Sequence, residues 1–73
     1  MEISELKDKK IAILGFGLEG QSTLNFLLKN GVSTDMITIL DENKVSDSSG
    51  AEIVTGEEYL DGLGRFDYIF KTP

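Results

Sequence analysis

Gly15, Gly17 and Gly20 stand in GxGxxG spacing, an arrangement whose residue types point to one chemistry, the cradling of a phosphate on bare backbone. Each glycine has its own task in such a turn. Gly15 lets the chain leave a strand sharply, Gly17 lets a phosphate approach the backbone, and Gly20 lets the following helix pack closely on the strand. The free N–H groups around Leu18, Glu19 and Gly20 would then face the phosphates, with the positive end of the helix dipole behind them. No lysine is required, and the GxxxxGK[ST] spacing of a triphosphate-gripping P-loop is absent. The competing reading is a tight strand-to-helix corner that binds nothing. A strand before the turn, a helix after it and an acid at the next strand end favour a ligand. Glu19 suits the helix dipole but would repel a diphosphate lying on the same turn, so its side chain is expected to point outward.

That acid is Asp41, 21 residues after Gly20, where a carboxylate can accept hydrogen bonds from a ribose hydroxyl or a base N–H. Its alternative role is that of a strand-end turn former. Glu42 adds a second carboxylate, and the pair, with no arginine nearby, would reject the extra 2′-phosphate of NADP. For Glu42 and Asn43 the ligand and turn readings are evenly balanced.

The elements that must position these residues follow from apolar periodicity. Lys10 to Gly15 (KIAILG) is an uninterrupted apolar run, the pattern of a central parallel strand covered on both faces. Leu18 to Asn30 shifts to helical spacing, with Gly20, Leu24, Leu27, Leu28 and Gly31 on one side and Asn30 and Gly31 as a left-handed stop. Met36 to Leu40 (MITIL) is a second strand, completing a βαβ unit. Glu42 to Gly50 reads as an exposed loop, Ala51 to Gly56 as a short strand, Glu57 to Leu63 as one or two helical turns, and Phe66 to Phe70 as another strand. The fold class expected is α/β: a Rossmann-like open parallel sheet of about four strands with flanking helices, residues 1–73 forming a single domain. Ending just after a strand, at Lys71, Thr72 and Pro73, suggests a truncated sheet.

Composition narrows the function further. Thirteen acidic and seven basic residues give a formal net charge of -6, which disfavours a nucleic acid backbone as partner. An acidic domain can still hold one nucleotide through backbone N–H groups. There is no cysteine and no histidine, so no disulfide framework or thiolate zinc site is expected, no metal ligand set stands out, and no acid and base pair is placed for catalysis. The first ten residues show no basic leader ahead of an apolar run, and no segment approaches membrane-spanning length, so no membrane partner and a cytoplasmic location are expected. With 73 residues the chain is near the lower limit for a self-supporting core, and no catalysis is expected from it alone.

These residues leave two ligands open, because the same turn and strand-end acid serve NAD in the dinucleotide domain of a dehydrogenase or ligand-sensing regulator and a diphosphate sugar nucleotide elsewhere. The segment KIAILGFGLEGQSTLNFLLKNG, with LDEN and then YLDGLGRFDYIFKTP, resembles the start of the Mur ligases that add D-glutamate, the UDP-N-acetylmuramoyl-alanine:D-glutamate ligases of peptidoglycan synthesis. The resemblance covers nearly the whole chain. Family members open with a GxGxxGxS run, matched here by Gly15, Gly17, Gly20 and Ser22. Their fourth strand leads into Ser-Pro-Gly, where this chain has Thr72 and Pro73.

The resemblance implies a UDP-binding domain for UDP-N-acetylmuramoyl-L-alanine. Backbone at Leu18 and Glu19 would meet the diphosphate, Asp41 and Glu42 would lie near the uracil, and Thr72 would join the site. Glu19 and Glu42 replace a hydroxyl residue found in some relatives, so backbone groups would have to serve there. By the same resemblance, ATP and magnesium belong to a central domain and the amino acid to a C-terminal domain, neither of them in this chain. The whole enzyme would activate the substrate carboxylate as an acyl phosphate for attack by D-glutamate.

Overall fold

A computed structural model describes residues 3–71. Four strands, β1 (Ile11–Leu14), β2 (Ile37–Asp41), β3 (Glu52–Thr55) and β4 (Tyr68–Lys71), form one parallel sheet in the order β3-β2-β1-β4. A single α-helix, α1 (Leu18–Lys29), joins β1 to β2. The order is that of the leading part of a doubly wound sheet, so the Rossmann-like expectation holds.

The most apolar runs lie where burial is complete. β1 sits between β2 and β4, and its Ile11, Ala12 and Ile13 are buried; Ile37 to Leu40 of β2 are buried as well. Ile11, Ile13, Ile37 and Ile39 join Leu24 and Leu27 of α1 in one core cluster, closed at its end by Leu6 and Val32. The apolar stripe read from the sequence faces this cluster, except that Gly31 is exposed and serves the helix stop instead.

At that stop Asn30 keeps a negative φ, while Gly31 takes the left-handed conformation at φ 91°. Its N–H donates to the Leu28 carbonyl and that of Val32 to the Leu27 carbonyl, both at 3.1 Å, satisfying the last carbonyls of α1. The chain then makes a short 3-10 turn, Thr34–Met36, whose N-terminal Ser33 accepts from the Asp35 N–H at 3.2 Å. This turn delays the second strand to Ile37 and takes Met36 out of it.

The sheet's other face departs from expectation, because no second helix covers it among the described residues. Glu57 to Leu63 forms hydrogen-bonded turns, Tyr59 N–H to Gly56 carbonyl and Asp61 N–H to Glu58 carbonyl, followed by a 3-10 turn at Leu63–Arg65. The physical reason is Gly62, whose φ of 78° lies outside any right-handed helix, backed by Gly64 two residues on. A polar chain of contacts spans this face: the Thr38 hydroxyl donates to Glu52 at 3.1 Å and Arg65 approaches the same carboxylate at 3.8 Å. Ile69, paired with Ala12 in register, remains 43% exposed there.

The loop from Glu42 to Gly50 is exposed as expected at most positions. Val45 is half-buried against the core, Ser48 is buried with its hydroxyl donating to the Ala51 carbonyl at 2.7 Å, and Ser49 takes a positive φ of 53°.

Candidate functional site

The turn between β1 and α1 gives its three glycines three distinct local geometries. Gly15 has φ 92°, a conformation that lets the chain break from the strand and that a side chain would strain. Gly17 is extended, with φ -76° and ψ -158°, and a Cβ built on it meets nothing within 4 Å, so this stretch of backbone is bare and open. Gly20 is buried in the first turn of α1, and a Cβ there would run into the Gly15 carbonyl oxygen and touch Phe16. Close packing of helix on bend therefore depends on the missing methyl.

No side chain caps the N-terminus of α1, and the Gln21 N–H donates to the Gly17 carbonyl at 3.0 Å. The amides of Leu18, Glu19 and Gly20 thus precede the helical ladder and lie at the positive end of a twelve-residue helix. Leu18 is 82% exposed, and the Glu19 side chain is exposed too, in keeping with an outward-pointing acid. Glu19 uses its carbonyl locally, accepting from the Thr23 hydroxyl at 2.9 Å.

Two hydrogen bonds tie the bend to the end of β2. The Gly15 N–H donates to the Leu40 carbonyl at 2.7 Å, and the Phe16 N–H donates to Asp41 Oδ2 at 2.8 Å. Asp41 is half-buried, and its Oδ1 accepts from the Asn43 N–H at 2.8 Å. Asp41 thus forms the strand-end turn, the second of its two readings, and also stands against the glycine turn. Glu42 is exposed, with its carbonyl accepting from the Gly56 N–H at 3.2 Å.

Three clefts converge on this carboxyl end of the sheet. One of about 290 Å³ brings Gly15, Asp41 and Glu42 together with Tyr59 and Lys71. A larger one of about 600 Å³ runs from Gly17 and Asp41 past Gln21 and Asn25 to Lys44. Leu18 and Glu19 line a third, with Phe26, Phe70 and Lys71. Of the predicted residues described, all but the buried Gly20 border one of these clefts. Thr72, also expected in the site, lies outside the described residues.

Sequence reasoning missed Tyr59 and Lys71. Lys71 ends β4 in register with Leu14, immediately before the bend, and borders two of the clefts. A lysine closing a strand beside the glycine-rich one was the signal available. Tyr59 offered none, because its place depends on the turns after Gly56. Among the described residues no group of three or more acidic, histidine or cysteine side chains is placed to hold a metal ion. No helix among them is long and apolar enough to cross a membrane.

Fold and rim together define a Rossmann-like α/β domain with a glycine turn open at the carboxyl end of its sheet. The chain is 35% identical over 74 aligned positions to the UDP-N-acetylmuramoylalanine–D-glutamate ligases of Clostridium botulinum strains Hall and Langeland, and 32% identical to that of Clostridium kluyveri. These matches cover 93% of the chain and 16% of each relative. The chain belongs to this family of Mur ligases, as the homologue of one part of them. It spans about a sixth of the length of the curated relatives it matches. No protein-family model matches the chain, and no solved structure matches it significantly.

Proposed function

We propose that the chain is the N-terminal, UDP-binding domain of a UDP-N-acetylmuramoyl-L-alanine:D-glutamate ligase, holding the UDP moiety of its substrate for ATP-dependent amide-bond formation in peptidoglycan precursor synthesis. The observation that carries this reading is the geometry at Gly17, an extended glycine with open space beside it, just ahead of the uncapped start of α1. A diphosphate approaching there meets the amides of Leu18, Glu19 and Gly20 and the positive end of the helix dipole. Relatives whose name includes UDP-N-acetylmuramoylalanine supply the ligand class.

In this reading Gly15 and Gly20 shape the turn, and the segment from Asp41 to Glu42 borders the space for the nucleoside, with Thr72 beyond the end of β4. Lys71, at the rim between Leu14 and the clefts, adds a cation beside the phosphates. ATP and magnesium, which the resemblance implies for the whole enzyme, do not fit the residues described. The turn has no lysine at P-loop spacing, and among the described residues no group of three or more acidic side chains is placed for a divalent ion. This chain's part is to bind and orient substrate. Activation of the carboxylate and capture of D-glutamate fall to other domains, and the chain alone is inactive. The setting is cytoplasmic, in cell wall biogenesis with its links to cell shape and division.

The test is a titration of the isotope-labelled chain with UDP and, separately, with NAD, following backbone amides by NMR. The reading expects UDP to move the signals of Gly15 to Gly20. Movement with NAD but none with UDP would reject it in favour of a dinucleotide domain.

A further inference from the structure

Asp41 is bonded in a way that its strand-end position does not announce. By strand alternation it stands on the same face of the sheet as Ile37 and Ile39, the face that α1 covers. There its carboxylate reaches a backbone donor 25 residues away, the Phe16 N–H, at 2.8 Å. Its other oxygen accepts from the Asn43 N–H, also at 2.8 Å. Each carboxylate oxygen thus already has a main-chain donor, and one of those donors is inside the glycine turn.

The consequence lies in what holds the bend. Gly15, at φ 92°, has no side chain to fix its path, and a Cβ built on Gly17 would meet nothing within 4 Å. The bend is secured on the β2 side by the Gly15 bond to the Leu40 carbonyl and by the Phe16 bond to Asp41. A hydrogen bond to a charged acceptor is the stronger of two such links. It also withdraws the Phe16 amide from the donors a ligand can use, leaving those of α1's first turn.

We propose that Asp41 is a positioning residue, which holds the glycine turn in its anion-receiving form through Phe16 instead of gripping the nucleoside with its own carboxylate. This rests on the reading that the turn receives a diphosphate. The proposal makes a prediction of unusual sign. Removing a negative charge close to an anion site would by Coulomb's law strengthen anion binding. Removing this one is expected to weaken it, because the turn loosens.

Inorganic pyrophosphate and UDP are the two probes, since only UDP has a nucleoside. In Asp41→Ala both hydrogen bonds are lost; in Asp41→Asn the amide oxygen can accept only one of the two N–H groups. The proposal expects Asp41→Ala to weaken pyrophosphate and UDP by the same factor, about tenfold, and Asp41→Asn to weaken both by a smaller common factor. A loss confined to UDP would assign Asp41 to direct nucleoside contact and overturn the proposal, as would tighter pyrophosphate binding. The ligand-free signature is the Phe16 amide proton, expected to shift upfield and exchange faster in both variants while the amides of Ile13 and Ile39 keep their positions. An unchanged Phe16 amide also overturns the proposal. If the unsubstituted chain binds neither probe, the UDP reading of this chain fails, and the Phe16 amide still decides whether Asp41 holds the turn.

Discussion

The β1-α1-β2 half of the molecule and the β3 to β4 half are built to different standards. In the first half the inward residues of both strands and the helix are covered, and the connection is a helix twelve residues long, closed at its C-terminus by Gly31. In the second, β3 and β4 are half-buried edge strands, joined by turns and one short 3-10 segment. The first half makes the core and the glycine turn at once. The second completes the sheet on both flanks and contributes Tyr59 and Lys71 to the rim. Phe26 and Ile69 remain about half exposed, at 52% and 43%, and Leu18 more so, which shows that apolar surface beside β4 is not used by the chain's own core. The difference teaches that the site's shape is paid for by one βαβ unit, so changes there should be felt far more than changes outside it.

The comparison breaks first at Leu27, whose side chain is fully buried between α1 and the sheet. Leu27→Ala is expected to cost about 2–5 kcal/mol, read as a lower denaturation midpoint; a domain this small has little stability to lose. Gly20→Ala comes next, since its methyl would press on backbone at Gly15 and not on a flexible side chain. Overpacking of this kind costs about 1–3 kcal/mol, and the same denaturation curve would show it. Ile69→Ser, on the uncovered face of β4 and half exposed, is expected to cost about 1 kcal/mol; a loss as large as that at Leu27 would mean that both halves share the load. Gly17→Ala is expected to leave the midpoint almost unchanged, because its φ suits any residue and its surroundings are open.

The same division governs what could be read in the sequence. The run KIAILG and the spacing of Leu24, Leu27 and Leu28 were legible because burial in β1 and α1 is nearly complete, so apolar pattern and structure coincide. The bend at Gly15 and the close packing at Gly20 were legible as well, being local consequences of having no side chain. From Glu57 to Leu63 the sequence suggested one or two helical turns, but Gly62 takes a left-handed backbone that no periodicity reports. Tyr59 was hidden because its place on the rim follows from the turns after Gly56, whereas Lys71, at the end of a strand, left a signal that only the strand register makes specific. The bond from Phe16 to Asp41 was hidden for a plainer reason: it joins the ends of two strands that only the finished sheet brings side by side.

The account's central claim is that bare backbone at Gly17 admits a diphosphate to the first amides of α1. It is tested most directly by titrating UDP into the chain and into Gly17→Val, a variant whose side chain projects into that open space. The account predicts that UDP moves the amides of Leu18, Glu19 and Gly20 in the unsubstituted chain and leaves them in place in an equally folded Gly17→Val. Equal movement in both proteins, or movement confined to residues away from the turn, would contradict it.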